Sequence, residues 1–197
     1  MSIEPVTLSG GIVRLEPLQR EHASDLYEAS QDQRIWRFLP QNPSQSLAEI
    51  QNWIAFTLQL QEAGSILPFA IIMQEHNRAI GSTRYLDIQT QNRGLEIGWS
   101  WLTPTVQRTG VNTECKYLLL RHAFEQLGMI RVQLKTDSRN LQSQRAIERL
   151  GAVKEGTLRN HMILPDGYYR HSVYYSIIES EWPTVKAGLE EKMAGYK

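Results

Sequence analysis

Between Leu67 and Leu102 three strand-like runs follow one another closely, and no other feature constrains the fold as much. Leu67 to Gln74, Ala79 to Gln89 and Leu95 to Leu102 are rich in β-branched and aromatic residues. Only the turn formers His76-Asn77 and Gln91 to Gly94 separate them, so the three runs read as a meander. The period then changes. Val111, Cys115, Leu118/Leu119, Ala123 and Leu127 recur at helical spacing until Gly128 stops them. A strand over Ile130 to Thr136, a helix over Leu141 to Leu150 closed by Gly151, and strands over Ala152 to Arg159 and Ser172 to Ile178 follow, the last two joined through Pro165-Asp166-Gly167. A final helix starts near Ser180, with Pro183 tolerated in its first turn. Upstream, Val6 to Leu15 reads as one strand with a turn or bulge at Gly10-Gly11. Glu21 to Ser30, a piece around Ile35 to Leu39, and Ser44 to Ala63 read as helices. A meander followed by a βαβ unit predicts an α/β (α+β) chain with a mixed sheet and helices on both faces. No fixed-period repeat or low-complexity linker divides the 197 residues, so one domain over 1–197 is expected.

Composition narrows the partners. Lys+Arg 21 against Asp+Glu 21 gives a net charge of +0, which offers no electrostatic case for nucleic acid or an anionic membrane. No apolar run approaches the ~20 residues a membrane span needs. The N-terminus lacks the basic-then-apolar layout of a secretory signal, and the lone Cys115 cannot form an intramolecular disulfide. A reducing, cytoplasmic setting is therefore expected. Cys115 lies in the apolar stripe and reads as a small buried hydrophobe. No Cys, His or carboxylate grouping has metal-ligand spacing, so no metal is expected; no G-x-S-x-G points to a serine hydrolase.

The stretch VQRTGVNTECKYLLL, Val106 to Leu120, places small polar residues between a strand end and a helix start. First-turn backbone N–H groups have no partner within their helix, and the helix dipole favours negative charge there. Gly110 permits close approach of an anionic group, Thr109, Asn112 and Thr113 offer side-chain donors, and Arg108 offers a positive charge. Two adjacent phosphates suit such a cradle. The same residues also suit an ordinary capped helix. A second stretch, TDSRNLQSQRAIERLGA over Thr136 to Ala152, reads as a helix capped by Asn140, with Ala146, Ile147 and Leu150 inward and Gly151 as its stop.

Together the two stretches resemble the GNAT superfamily of acetyl-CoA-dependent N-acetyltransferases, in particular its ribosomal-protein alanine acetyltransferase-like (RimJ/RimL-type) branch. Gln107-Arg108-Thr109-Gly110-Val111-Asn112 matches the family's Q/R-x-x-G-x-G/A loop except at Asn112, where the family has a small residue. Asn140-x-x-Ser143 followed by Arg145 to Ala152 matches its N-x-x-S…LGF/A helix. The resemblance covers nearly the whole chain. It implies a GNAT-like fold with a mostly antiparallel sheet of about seven strands, splayed between the fourth and the fifth, and acetyl-CoA as co-substrate. By the same resemblance, the strand carrying Trp101, Leu102 and Thr103 lines the pantetheine gap. The diphosphate rests on Gln107 and the backbone of Arg108, Thr109, Gly110, Val111, Asn112 and Thr113. Asn140 bonds the pantetheine, and Arg145 approaches the nucleotide-end phosphates.

The implied chemistry is direct attack of a neutral amine on the thioester carbonyl. Ser143 matches the family position credited with protonating the departing thiolate, a role better described as stabilising developing charge. Two candidates remain for the base. Glu96 lies on a strand where many members place a water-linked carboxylate, and alternation sets it opposite Trp99 and Trp101 and alongside Gly98. RimL-type relatives use a glutamate before the Asn/Asp-Gly turn, but His161 to Gly167 holds no carboxylate before that turn, which leaves His161 as the alternative. A lysine amine costs roughly 4.6 kcal/mol to present neutral at pH 7 and an α-amine only about 1, so a small amine or a peptide or protein N-terminus is the expected acceptor. Trp36, Phe38 and Leu39 form one expected acceptor wall; Tyr85, His161, Tyr168, Tyr169 and Arg170 form the other. A non-catalytic acyl-CoA-binding module is the competing reading. Related proteins commonly pair, so a homodimer is compatible with the sequence.

Overall fold

The computed structural model describes residues 3–196. Among them lies one eight-stranded sheet, ordered β1-β2-β3-β4-β5-β6-β8-β7, with β1 at Leu8–Ser9, β2 at Val13–Pro17, β3 at Ile66–Met73, β4 at Arg78–Gln89, β5 at Gly94–Leu102, β6 at Arg131–Asp137, β7 at Val153–Ile163 and β8 at Tyr169–Ile178. Every pairing is antiparallel except β5 with β6. The eighth strand comes from the Gly10-Gly11 segment, which reverses the chain into a β1–β2 hairpin, Leu8 opposite Leu15.

Helices lie on both faces. Helices α3 (Val111–Arg121), α4 (Leu141–Arg149) and α5 (Trp182–Ala194) cover one face, where Val111, Cys115, Leu118, Leu119, Ile147, Leu150, Trp182 and Leu189 pack on Leu15, Phe69, Tyr85, Ile97 and Val132. Helices α1 (Ala23–Ala29) and α2 (Leu47–Glu62) cover β2–β4 on the other, where Leu26, Ile50, Trp53 and Ile54 pack on Ala70, Ile72 and Trp101. Each of the Leu, Ile, Val and Phe side chains among them, taken from water, contributes roughly 1.5–3 kcal/mol before entropy is counted. The expected helix around Ile35 to Leu39 is only a 3₁₀ turn at Gln33–Ile35, capped by Asp32 accepting from the Arg34 amide at 2.9 Å. Helix α2 starts one residue after Ser46, whose hydroxyl accepts from the Glu49 amide. Helix α3 runs on into one π-helical turn, His122–Gln126, and the chain then turns at Gly128 with φ 61°.

Candidate active site

The site begins where β5 and β6 part. They pair only at Gly94–Arg131, Leu95–Val132 and Glu96–Gln133; from Ile97 to Leu102 β5 has no β6 partner. Parallel strands that diverge leave two facing edges with unpaired peptide groups, a template for an extended ligand bearing amides. The register of β5 against β4 also shifts between Ser82–Trp101 and Arg84–Gly98, with Trp99 at φ 50°. That bulge reverses the alternation beyond it. Leu95 and Ile97 face α3, whereas Trp101, of the same parity, joins the cluster under α1 and α2. Glu96 and Trp101 therefore share a face, contrary to the simple alternation expected from sequence.

Beyond β5 a 3₁₀ turn at Pro104–Val106 leads to Arg108 at φ 62° and to Gly110, the N-cap of α3. Among the described residues the amides of Arg108, Thr109, Gly110, Asn112 and Thr113 have no hydrogen-bond acceptor, and that of Val111 has only a long bond, 3.3 Å, to the Thr109 hydroxyl. The loop thus carries a run of free donors at a helix N-terminus. Two expectations change here. The Thr109 hydroxyl donates to Val106 O at 2.7 Å and is committed to the loop. At Gly110 an added Cβ would lie 2.9 Å from Ile12 Cδ1 and 3.0 Å from the Tyr196 ring, so the missing side chain makes room for the β1–β2 turn and the C-terminal segment. Gln107 is exposed and donates to Leu102 O at 3.4 Å, Asn112 is half-buried and Thr113 buried.

The loop is held from behind by a residue the sequence reading missed. The Glu114 carboxylate accepts from the amides of Gly11, Ile12 and Val13, each at 2.7 Å, tying the β1–β2 turn to the first turn of α3. Two positions on, buried Lys116 donates to the Ser100 hydroxyl, which in turn bonds Thr83 Oγ1 at 2.7 Å. It has no carboxylate partner among the described residues, and burial lowers its pKa. Cys115 between them is buried, and burial pushes its thiol up to about 11, which leaves it protonated and inert.

At the α4 end, Asn140 Oδ1 accepts from the Ser143 amide at 3.0 Å. The Asn-x-x-Ser spacing is thus a helix cap that also sets Ser143 at the third helical position. The Ser143 hydroxyl has no partner among the described residues and is half-buried. Arg145 is exposed and makes no ion pair among them.

A polar wall fills the sheet face opposite α3. Glu96, 2 % exposed, accepts at Oε2 from Gln133 Nε2 and from Lys135 Nζ, both at 2.9 Å. Its Oε1 has no such partner and lies 2.9 Å from where a Gly98 Cβ would be. Lys135 Nζ sits 5.7 Å over the Tyr174 ring. Tyr174 Oη is 3.1 Å from His161 Nε2, and His161 Nδ1 is 3.0 Å from Ser172 Oγ. Ser172 also accepts from Arg170 Nε, so the His161 ring, bonded at both nitrogens, is tied between Ser172 and Tyr174. Burial, then Lys135 and Arg170, lowers the His161 pKa and keeps that ring neutral. Arg170 Nη1 reaches Phe38 O at 3.3 Å, and Arg139, paired with buried Asp137 at 2.8 Å, stacks 3.5 Å over the Tyr168 ring.

The acceptor residues expected from sequence are thus partly gathered. Phe38, His161, Tyr168 and Arg170 meet on this wall, while Tyr169 is exposed beyond it. Tyr85 is not there. It is 0 % exposed inside the core under α3, donating to Leu119 O at 2.6 Å, because its position on β4 faces the helix side of the sheet. Trp36 is buried, its ring 5.3 Å from that of Trp101 and its Nε1 donating to Ser30 O; with Leu39, Leu164 and Asp166 it lines a cavity of about 240 Å³. The Trp101 side chain is likewise buried under α2, which leaves only its backbone to face the gap. Gln133, Lys135, Tyr174 and Arg84 were missed. The alternation Arg131, Gln133, Lys135, Asp137 in β6 was their one legible signal.

Among the described residues no helix is long and apolar enough to cross a membrane. The model of the acetyltransferase (GNAT) domain matches residues 13–153. The ribosomal-protein-serine acetyltransferase of Escherichia coli (strain K12) is 25% identical over 172 residues, covering 86% of this chain and 94% of that protein. A GCN5-related N-acetyltransferase from Brucella melitensis superposes with a TM-score of 0.91 at 28% identity, over 98% of this chain and 87% of that one. Mycobacterium smegmatis RimJ in complex with CoA-disulfide shares the fold, with a TM-score of 0.81 at 19% identity, over 98% and 94%. With its family model spanning the β2-to-α4 body that carries both motifs, the chain belongs to the GNAT acetyltransferase family.

Proposed function

We propose that this acyltransferase moves an acetyl group from acetyl-CoA to a primary amine, best an α-amine at a peptide or protein N-terminus, by direct attack in a ternary complex. One observation carries the reading: the β5–β6 splay opens on one side to the free amides of Arg108 to Thr113 and on the other to the polar wall around Glu96. The residues present fit acetyl-CoA. The loop amides donate to its diphosphate, the unpaired edge of β5 takes its pantetheine amides, and the side-chain amide nitrogen of Asn140, left free by the cap, serves the same arm. That a relative is named for ribosomal-protein serine acetylation, and that a neighbour of the same fold was crystallised with CoA-disulfide, supports the same assignment.

In this scheme the amine nitrogen bonds to the thioester carbonyl carbon, the C–S bond breaks, and the sulfur leaves as thiolate. The unpartnered Ser143 hydroxyl donates to that developing charge. The surplus proton of the amine passes through water to Glu96 Oε1, the oxygen that Lys135 and Gln133 leave free. His161 has both nitrogens engaged and orients Tyr174 instead. Release of free thiol from acetyl-CoA, followed over a panel of N-terminal peptides, small amines and lysine side chains, tests the reading. Turnover confined to α-amines is expected; tight acetyl-CoA binding without turnover on any acceptor would leave only a binding module.

A further inference from the structure

Arg84 is the least satisfied charge in the described chain. It lies on β4 opposite Gly98, next to the bulge of β5, and is only 4 % exposed. Its Nε and one Nη are buried with no hydrogen-bond partner, and no carboxylate among the described residues pairs with it. The guanidinium packs instead on two aromatic rings, Trp99 at 4.9 Å and Trp53 at 5.6 Å from Arg84 Cζ to the ring centroids. Stacking supplies part of the lost hydration, but it leaves the in-plane N–H groups unmet, and burial lowers the pKa to about 10. A second orphan donor lies in the apolar cluster that Trp53 also joins: Trp101 Nε1 is buried without an acceptor, its ring 6.5 Å from that of Trp53.

A native fold does not keep a buried cation beside a second unmet donor without a reason. Both groups only donate, and guanidinium geometry matches the two oxygens of a carboxylate. Their place is also telling. Gly98, opposite Arg84, is the residue over which Glu96 Oε1 lies, so Arg84 borders the base proposed above. Trp99, half-exposed and held at φ 50°, packs on the guanidinium, and a bulky residue in that backbone region is strained, a state found where a site is being shaped.

We propose that Arg84 receives a carboxylate of the acyl acceptor, so that the enzyme selects amines carrying an anion within a few ångströms of the nucleophilic nitrogen. This rests on the proposed acetyl transfer at the same site. Two sources supply that chemistry: the α-carboxylate of a free amino acid, or the side chain of an acidic residue at or next to a peptide N-terminus.

Matched acceptors test it on the unmodified enzyme: amino acids against their amides, and peptides beginning with Asp or Glu against those beginning with Asn or Gln. The carboxylate member of one pair is expected to have a kcat/KM at least about 30-fold higher, and the pair that responds identifies the source. Arg84→Met should erase the difference through KM while leaving acetyl-CoA affinity unchanged; Arg84→Lys, which keeps the charge but loses the fork, should retain part of it. Equal rates within every pair, or a preference that survives in Arg84→Met, would overturn the inference and leave acetyl transfer standing. If no acceptor turns over, tryptophan fluorescence titrated with the same carboxylates decides: quenching in the wild type that is lost in Arg84→Met supports the anion site although the proposed transfer has failed, and no quenching rejects both.

Discussion

Glu114 occupies the space that any side chain at Gly10 would need: a Cβ there would lie 2.6 Å from Glu114 Oε2. The same carboxylate holds three successive amides of the β1–β2 turn. The relationship ties the N-terminal hairpin to the first turn of the helix whose free amides form the proposed anion cradle. Glu114→Ala therefore removes three charge-assisted bonds and is expected to cost about 3 kcal/mol, a fall of roughly 6–12 °C in Tm for a chain of this size. Gly10→Ala should act in the same direction by displacing the carboxylate. Calorimetric melts check both, and coenzyme A titration of each variant should show weaker binding as the loop loses its support.

Ser143 offers a cleaner separation of chemistry from folding. Its hydroxyl holds nothing in the described structure, while its amide makes the cap to Asn140. Ser143→Ala should lower kcat roughly 10- to 100-fold and leave the Tm unchanged, as measured by steady-state thiol release beside a thermal melt. Asn140→Ala should do the reverse in part, costing about 1 kcal/mol through the lost cap and raising the KM for acetyl-CoA.

The base assignment separates by substitution. Glu96→Gln is expected to reduce kcat by about 100-fold or more and to destabilise the fold as well, because it leaves Lys135 without its counter-charge. His161→Gln, whose ring nitrogens are both bonded, should cost less than about tenfold. Single-turnover rates for the two variants measure this directly, and the opposite order would move the base to His161.

Two histidines predict how stability depends on pH. Burial lowers the pKa of His122, whose Nδ1 is 3.2 Å from Tyr85 Oη, and that of His161. The unfolded chain binds these protons near the ordinary value of about 6.5, so in the window below it the unfolded state carries more protons than the native one. Stability must then fall as pH drops from about 6.5 toward the native values, and level off above it. Urea midpoints measured across that range check the sign. His122→Gln should shrink the slope by its share.

How much was legible follows from which forces act locally. The meander, the βαβ unit and both helix starts were readable because period and capping depend on neighbours in sequence, as at Asn140 and Gly151. The face assignments were less so. One bulge at Trp99 reversed the alternation, set Trp101 on the Glu96 face, and could not be foreseen from residues that look like an unbroken strand. Tyr85 looked like a pocket aromatic because nothing local marks which face of β4 meets α3. Glu114, Lys135 and Arg84 find their partners, or lack them, at distances in sequence that no motif spans. Gly110 shows the subtler case: the residue matched the pattern, yet the space it leaves is taken by Ile12 and Tyr196.

The structure of this chain crystallised with coenzyme A is the most direct test. The diphosphate is expected within hydrogen-bond reach of the backbone amides from Arg108 to Thr113, with the pantetheine laid along β5 past the last β6 pair at Glu96. Density for the diphosphate elsewhere, or a β5–β6 gap closed by the protein's own side chains with the nucleotide outside it, would contradict the assignment.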